Sequence, residues 1–272
     1  MKKLLLFALV ALSLSACTTK TTNGTQSADA DRQPSVITWI EDKPGPTVQG
    51  RNVFPSVPDS LWSALGLTEG VPSSISCFLL ETEGCKILLD AGLGAPFSQL
   101  IPKLEESGVT PDSLSLIYIT HMHPDHIGGM LHEGSVVFPN AEVYVNRVEA
   151  EAWQSMDGER AALPKAVLNA YSDHLHLFEA GDMLPGGVLS IAAYGHTPGH
   201  TVFQKDSILV IADLMHGAAL QMSHPEYCPF FDMDPAAATE ARIRIMDYAR
   251  SNSLSVYGMH LPTGSVTLSD AQ

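Results

Sequence analysis

Short apolar runs alternate with amphipathic stretches along most of the chain. Ile75–Leu80 and Lys86–Leu89 read as strands joined by a turn near Glu83-Gly84, and Leu114–Thr120 (LSLIYIT) as a buried strand. Phe97–Ser107 has helical spacing through Leu100, Ile101 and Leu104 and stops at Gly108. Glu142–Val145 predicts a strand, Arg147–Trp153 and Leu163–Tyr171 helices, and Val188–Ala193, Thr201–Phe203 and Ile208–Ala212 further strands. Asp234-Pro235 supplies an N-cap and a first-turn proline for a long helix with Ile243, Met246 and Ala249 on its apolar face. Leu254–Tyr257 is a last short strand. Hairpins with interleaved helices predict an α/β architecture in which sheets are covered by helices.

The first residues break this pattern. MKKLLLFALVALSLSAC places two lysines before an apolar run, Leu4–Leu14, that is too short for a stable transmembrane helix. It reads as a signal peptide over residues 1–16. The ending Leu14-Ser15-Ala16-Cys17 resembles a bacterial lipobox, which implies cleavage before Cys17 and a lipid on its thiol; the plain alternative is a signal with an incidental cysteine. Thr18–Pro34 is rich in Thr, Ser, Asn, Gln and Asp and reads as a solvated tether. The expected organisation is a signal peptide (1–16), a lipidated cysteine and tether (17–35), and one domain (36–272). The expected location is the extracytoplasmic or periplasmic face of a bacterial membrane.

Charge narrows the partners. Lys and Arg number 15 and Asp and Glu 30, and loss of Lys2 and Lys3 brings the net charge near −17. Phosphate backbones need clustered cations, so nucleic acid is excluded as a partner and a small-molecule substrate is expected. Apart from Cys17, the cysteines are Cys77, Cys85 and Cys228. Their number and spacing do not form a disulfide framework, and buried free thiols are expected rather than a Cys77–Cys85 bridge.

The chemistry concentrates in ITHMHPDHIGGM, where His121, His123, Asp125 and His126 fall within six positions. Four such side chains are hard to bury without a common partner, and a metal is the first candidate. Further ligand types stand at strand ends: His200 in G-H-T-P-G-H-T, Asp213 closing ILVIAD, and His260 after SVYGM. Singly, each has an ordinary reading, as a satisfied histidine or a turn-capping aspartate. In this order the set, with the turn Leu88-Leu89-Asp90-Ala91-Gly92 before it, resembles the metallo-β-lactamase superfamily over roughly Ser74–His260.

That resemblance implies an αββα sandwich with the site at one edge of its two sheets. It assigns His121, His123 and His200 to one metal, Asp125, His126 and His260 to a second, and Asp213 to a bridge between them. Asp90 would orient a ligand by hydrogen bonding. Imidazole and carboxylate suit zinc, and two Zn2+ per chain imply hydrolysis by a metal-bound hydroxide, with Asp125 and His216 as catalytic candidates. DLMHGAALQMSHPEY and FDMDPAAATEARIRIMDYA resemble the branch of methyl parathion hydrolase-like enzymes and quorum-quenching lactonases. There His216, three residues after Asp213, would bind the substrate carbonyl or protonate the leaving oxygen; a packing histidine is the alternative.

His196 and His224 are read as structural, and His132, His174 and His176 as facing solvent. Tyr227, Phe230 and Phe231 are read as pocket lining or as core. Relatives in this branch continue further past the last histidine, so the final edge of the fold is open. No Lys or Arg occurs in 104–146 or 206–241, so uncharged esters or lactones are expected above β-lactams and phosphomonoesters. The alternatives are a phosphotriesterase, a β-lactamase, a diiron oxidoreductase and a non-catalytic metal-binding lipoprotein. Nuclease-like and glyoxalase-II-like activities sit poorly with the acidic charge.

Overall fold

The computed structural model describes residues 34–268; the expected signal peptide and Cys17 lie outside the described residues. The first sheet has the spatial order β1 (Val36–Glu41), β4 (Ser76–Thr82), β5 (Cys85–Leu89), β6 (Leu116–Ile119), β9 (Glu142–Asn146), β10 (Leu175–Phe178). From β5 to β10 neighbouring strands are parallel, while β1, β4 and β5 are antiparallel. The second sheet runs β11 (Met183–Leu184), β12 (Val188–Ala192), β13 (Thr201–Lys205), β14 (Ile208–Val210), β15 (Ser255–Tyr257), β16 (Ser265–Val266). Two small two-stranded antiparallel sheets lie outside both, β2 (Thr47–Gly50) with β3 (Gly70–Ser73) and β7 (Leu131–His132) with β8 (Ser135–Val136).

Period-two alternation distributes the strand side chains between two faces. Phe78 and Leu80, Ile87 and Leu89, Leu116 and Tyr118 point to a core shared with Phe203, Ile208 and Val210 of the second sheet. Their neighbours Cys77, Leu79, Leu88, Ile117 and Ile119 point the other way, into a core closed by helices α2 (Leu100–Glu106), α4 (Arg147–Ser155) and α5 (Ala162–Ala170). On the far side, Val202 and Leu209 meet Ile245, Met246 and Ala249 of α7 (Pro235–Ser251). The layers are therefore α, β, β, α, in one α/β domain. Each large apolar side chain buried in them contributes roughly 1.5–3 kcal/mol. Three short helices complete the described residues: α1 (Asp59–Ala64), α3 (Pro124–Ile127) and α6 (Ala218–Gln221).

Local rules explain the ends. The turn Glu83-Gly84 is set by the Thr82–Cys85 pair, with Gly84 at φ +82°. Asp234 caps α7 by accepting from the Ala237 N–H at 3.0 Å, with Pro235 next. On the same helix Met246 and Ala249 are buried as their spacing predicts, whereas Ile243 is 46% exposed and its neighbour Arg242 is buried. Arg242 donates from Nε to the Leu214 carbonyl at 2.7 Å, so α7 meets the site loops through a guanidinium. Cys77 is a free buried thiol as expected, but Cys85 is not a free thiol. β16 pairs with β15 and forms the edge of the second sheet shortly after His260.

Candidate metal centre

Four loops leaving strand ends converge. The loop after β6 carries His121 and His123 and runs into α3 with Asp125 and His126; the β12–β13 turn carries His196 and His200. Asp213 and His216 follow β14, and His260 follows β15. Ala212 sits at φ +47°, a left-handed conformation costing roughly 1–2 kcal/mol for a residue with a Cβ, at the bend that delivers Asp213.

Two of the ligand groups that result meet at Asp213, one of His121, His123, His196 and Asp213 and another of Asp125, His126 and His260; His216 forms two further groups, with His196 and Asp232 and with Asp213 and His260. His121 Nε2 lies 3.1 Å from His123 Nδ1 and 3.1 Å from His196 Nε2, and the latter two are 2.9 Å apart. Tetrahedral zinc with bonds of about 2.0–2.1 Å holds its ligand nitrogens about 3.3 Å apart, close to this triangle. Asp213 stands between the groups. Its Oδ1 is 3.0 Å from His126 Nε2, and its Oδ2 is 3.2 Å from His196 Nε2 and 3.1 Å from His260 Nε2. Asp125 Oδ2 lies 3.4 Å from His260 Nε2 and 3.8 Å from His126 Nε2.

The structure does not bring His200, expected as a ligand, into these groups. His196, read from the sequence as structural, completes the first group, and His200 belongs to neither group. The His200 Nδ1–H donates to the Ala193 carbonyl at 2.9 Å, and its Nε2 accepts the Asp213 N–H at 3.2 Å. Both ring nitrogens are engaged, so no lone pair is left for an ion. His200 instead supports the Asp213 backbone. His196 is turned inward by Asp232, whose Oδ1 takes its Nδ1–H at 2.7 Å. The turn also needs Gly195, at φ +129°, where a Cβ would lie 2.1 Å from Ala238 N at the start of α7.

Other buried groups hold the ligands. Asp90 takes the His126 Nδ1–H at 2.7 Å, and also accepts from Thr120 N at 2.8 Å and Thr120 Oγ1 at 2.7 Å. The Ser74 carbonyl lies 2.7 Å from His260 Nδ1. Glu149, wholly buried on α4, joins two ligand loops. Its Oε1 accepts from Met122 N at 2.9 Å and Trp153 Nε1 at 2.7 Å, and its Oε2 from Thr197 Oγ1 at 2.7 Å and Gly199 N at 2.8 Å. Sequence reasoning missed Asp232 and Glu149, since neither lies in a recognisable motif.

Electrostatics differ across Asp213. Burial and neighbouring imidazoles hold His121 below its usual range and His123 at about 3. Burial also lowers His126 and His260, but the surrounding carboxylates outweigh it, raising His126 and holding His260 at about 10. Burial would raise Asp213, yet His126, His260 and His121 keep it well below the carboxylate range. Asp125 is likewise held low, mainly by His126 and His260 against burial.

The donor set fits a metal. His126 Nε2 and Asp213 Oδ1 are buried 3.0 Å apart without a hydrogen bond, and His216 Nδ1 is also orphaned. Buried polar atoms of this kind are normally satisfied, and a shared cation would satisfy the first pair. Above the groups opens a pocket of about 290 Å3, with Asp125, Asp213, His216 and His260 among its walls. Trp153 and Phe231 give it apolar sides, and Gln49 and Arg160 also line it. Of the three aromatic candidates, Phe231 reaches the pocket, Phe230 is 66% exposed, and Tyr227 packs with Phe231 against the Phe54–Trp62 cluster. Arg160, on a turn distant in sequence from the cation-free windows, brings a cation to the pocket.

Residues 70–247 match the metallo-beta-lactamase superfamily. The N-acyl homoserine lactonase AiiA of Bacillus thuringiensis subsp. kurstaki is 26% identical over 212 residues, covering 68% of this chain and 80% of that protein. The solved structure of AbOPH, a hydrolase in the beta-lactamase superfamily, is 27% identical with a TM-score of 0.76, covering 93% of this chain and 95% of the other. AidC, a dizinc quorum-quenching lactonase, is 22% identical with a TM-score of 0.78, covering 86% and 90%, a likeness of fold.

Proposed function

Because the chain belongs to the metallo-β-lactamase superfamily and is a metal-dependent hydrolase, we propose that it is a dinuclear zinc hydrolase of small esters or lactones. The observation that carries this reading is the meeting of two ligand groups at one carboxylate: Asp213 Oδ2 stands between His196 of the first group and His260 of the second, and Oδ1 faces His126 of the second. His121, His123 and His196 would hold one ion, Asp125, His126 and His260 the other, and Asp213 both. Zinc bound there supplies a Lewis acid and lowers the pKa of water to about 7.

The chain's own groups divide the remaining work. Asp125, half-buried and lining the pocket, is placed to take a proton from the attacking water. His216 is neutral, burial holding it at about 4, and its Nε2–H donates to Asp213 Oδ2 at 2.9 Å. Nδ1 then carries a lone pair, so in this state His216 orients Asp213 and offers a hydrogen-bond acceptor. Donation to a substrate carbonyl requires the other tautomer. Trp153 and Phe231 provide apolar walls for an acyl group. The net charge of −15 disfavours anionic substrates at long range, although Arg160 removes the local premise for excluding them. The L-S-A-C sequence supports a lipid on Cys17 that holds the enzyme at the extracytoplasmic membrane face.

The test is kcat/KM of zinc-loaded protein on a γ-lactone, an aryl ester, a neutral phosphotriester and a penicillin. The lactone or ester is expected highest. A penicillin or phosphotriester preferred tenfold, about 1.4 kcal/mol of transition-state stabilisation, would overturn the substrate class.

A further inference from the structure

We propose that Arg160 selects substrates by holding a second acceptor oxygen, a carbonyl or carboxylate placed away from the bond that is cut. This deepens the ester and lactone reading and rests on it. Arg160 lies on the turn Glu159–Ala161 between α4 and α5, is exposed, and lines the same pocket as Asp213 and His216. The pocket thus has a buried floor for the reacting group and an open side for the rest of a substrate.

The guanidinium is uncommitted. Arg51, Arg147, Arg242 and Arg250 each pair with an aspartate or glutamate, and Arg244 donates to the Ala192 carbonyl. Among the described residues, Arg160 is the one arginine whose side chain makes no ion pair or hydrogen bond, although acids outnumber bases two to one in the chain. Gln49, on the same pocket, is also without a side-chain partner. A planar guanidinium presents paired N–H donors whose geometry matches a carboxylate and also accepts a carbonyl. A solvated surface arginine would show the same freedom but no dependence on the substrate's second oxygen.

The experiment compares wild type with Arg160→Ala and Arg160→Lys on three 4-nitrophenyl esters of matched length. These are the pentanoate, with no second acceptor, the glutaramate, with a neutral amide, and the hydrogen glutarate, with a carboxylate. In Arg160→Ala the kcat/KM of the glutarate relative to the pentanoate is expected to fall at least tenfold, mainly through KM, with partial rescue by Arg160→Lys. A parallel fall for the glutaramate identifies a carbonyl as sufficient; its absence identifies the carboxylate as the acceptor. Both ratios staying within twofold would overturn the proposal. If the wild type cleaves none of the esters, the ester reading fails separately. Calorimetric titration of the metal-loaded protein with glutaramate anion still reports on Arg160: tenfold weaker binding in Arg160→Ala supports it, and equal or undetectable binding in both proteins overturns it.

Discussion

On one side of Asp213 stand three imidazoles, His121, His123 and His196, and on the other Asp125, His126 and His260. In the first group burial dominates His121 and His123 and keeps them neutral. In the second, carboxylates dominate and keep His126 and His260 protonated in the metal-free protein. His121 and His123 offer lone pairs directly, whereas the second group, and within the first group His196, which Asp213 and Asp232 raise, must release protons to the incoming ion. The same residue type thus plays two electrostatic parts, decided by how many carboxylates face it.

The largest effect that probes this contrast is Asp213→Ala, which removes the group common to both halves. Loss of about 4 kcal/mol of transition-state stabilisation, roughly a thousandfold in kcat/KM, is expected together with loss of metal from both groups. Retention of both ions by a folded variant would break the bridging assignment.

A narrower contrast separates the two histidines of G-H-T-P-G-H. His196→Ala is expected to weaken metal binding at the first group by a hundredfold or more while the fold is kept. His200→Ala is expected to retain both equivalents and to lower stability by roughly 1–3 kcal/mol, since the Asp213 N–H and Ala193 carbonyl lose their partner. Metal analysis beside thermal unfolding separates the two, and equal metal loss in both variants would return His200 to the ligand set.

The smallest effect is on stability against pH. In the metal-free protein His260 is held at about 10, above its ordinary 6.5. Its stabilisation is full below 6.5 and is lost as pH rises toward 10. His123 and His200, both held at about 3, act oppositely and destabilise the fold as pH falls below 6.5. The metal-free Tm should therefore peak near pH 6.5 and fall by at least about 3 °C at pH 9. Zinc should flatten the profile; a metal-free Tm rising steadily to pH 9 would show the second group to be unprotonated.

Much of this was legible in the sequence because it is local. Hairpins with interleaved helices pointed to the α/β class, the resemblance implied the αββα order, and the contiguous cluster His121–His126 lies on one loop. His196 and His200 were not separable, because each sits beside a glycine in the same turn. The choice is made by Asp232, which takes His196 Nδ1–H, and by the Asp213 N–H, which occupies His200 Nε2. Arg160 escaped for a similar reason: cation-free windows in the sequence say nothing about a turn folded over from elsewhere. Ile243 was misplaced because helical spacing cannot foresee a buried arginine, Arg242, reaching the Leu214 carbonyl.

The most direct test of the two-metal hydrolase is titration of metal-depleted protein with zinc, following bound metal by elemental analysis and hydrolysis of a neutral lactone in parallel. Two equivalents per chain are expected, with proton release and with full activity reached only at the second. Saturation of both binding and activity at one equivalent would contradict the shared-carboxylate centre.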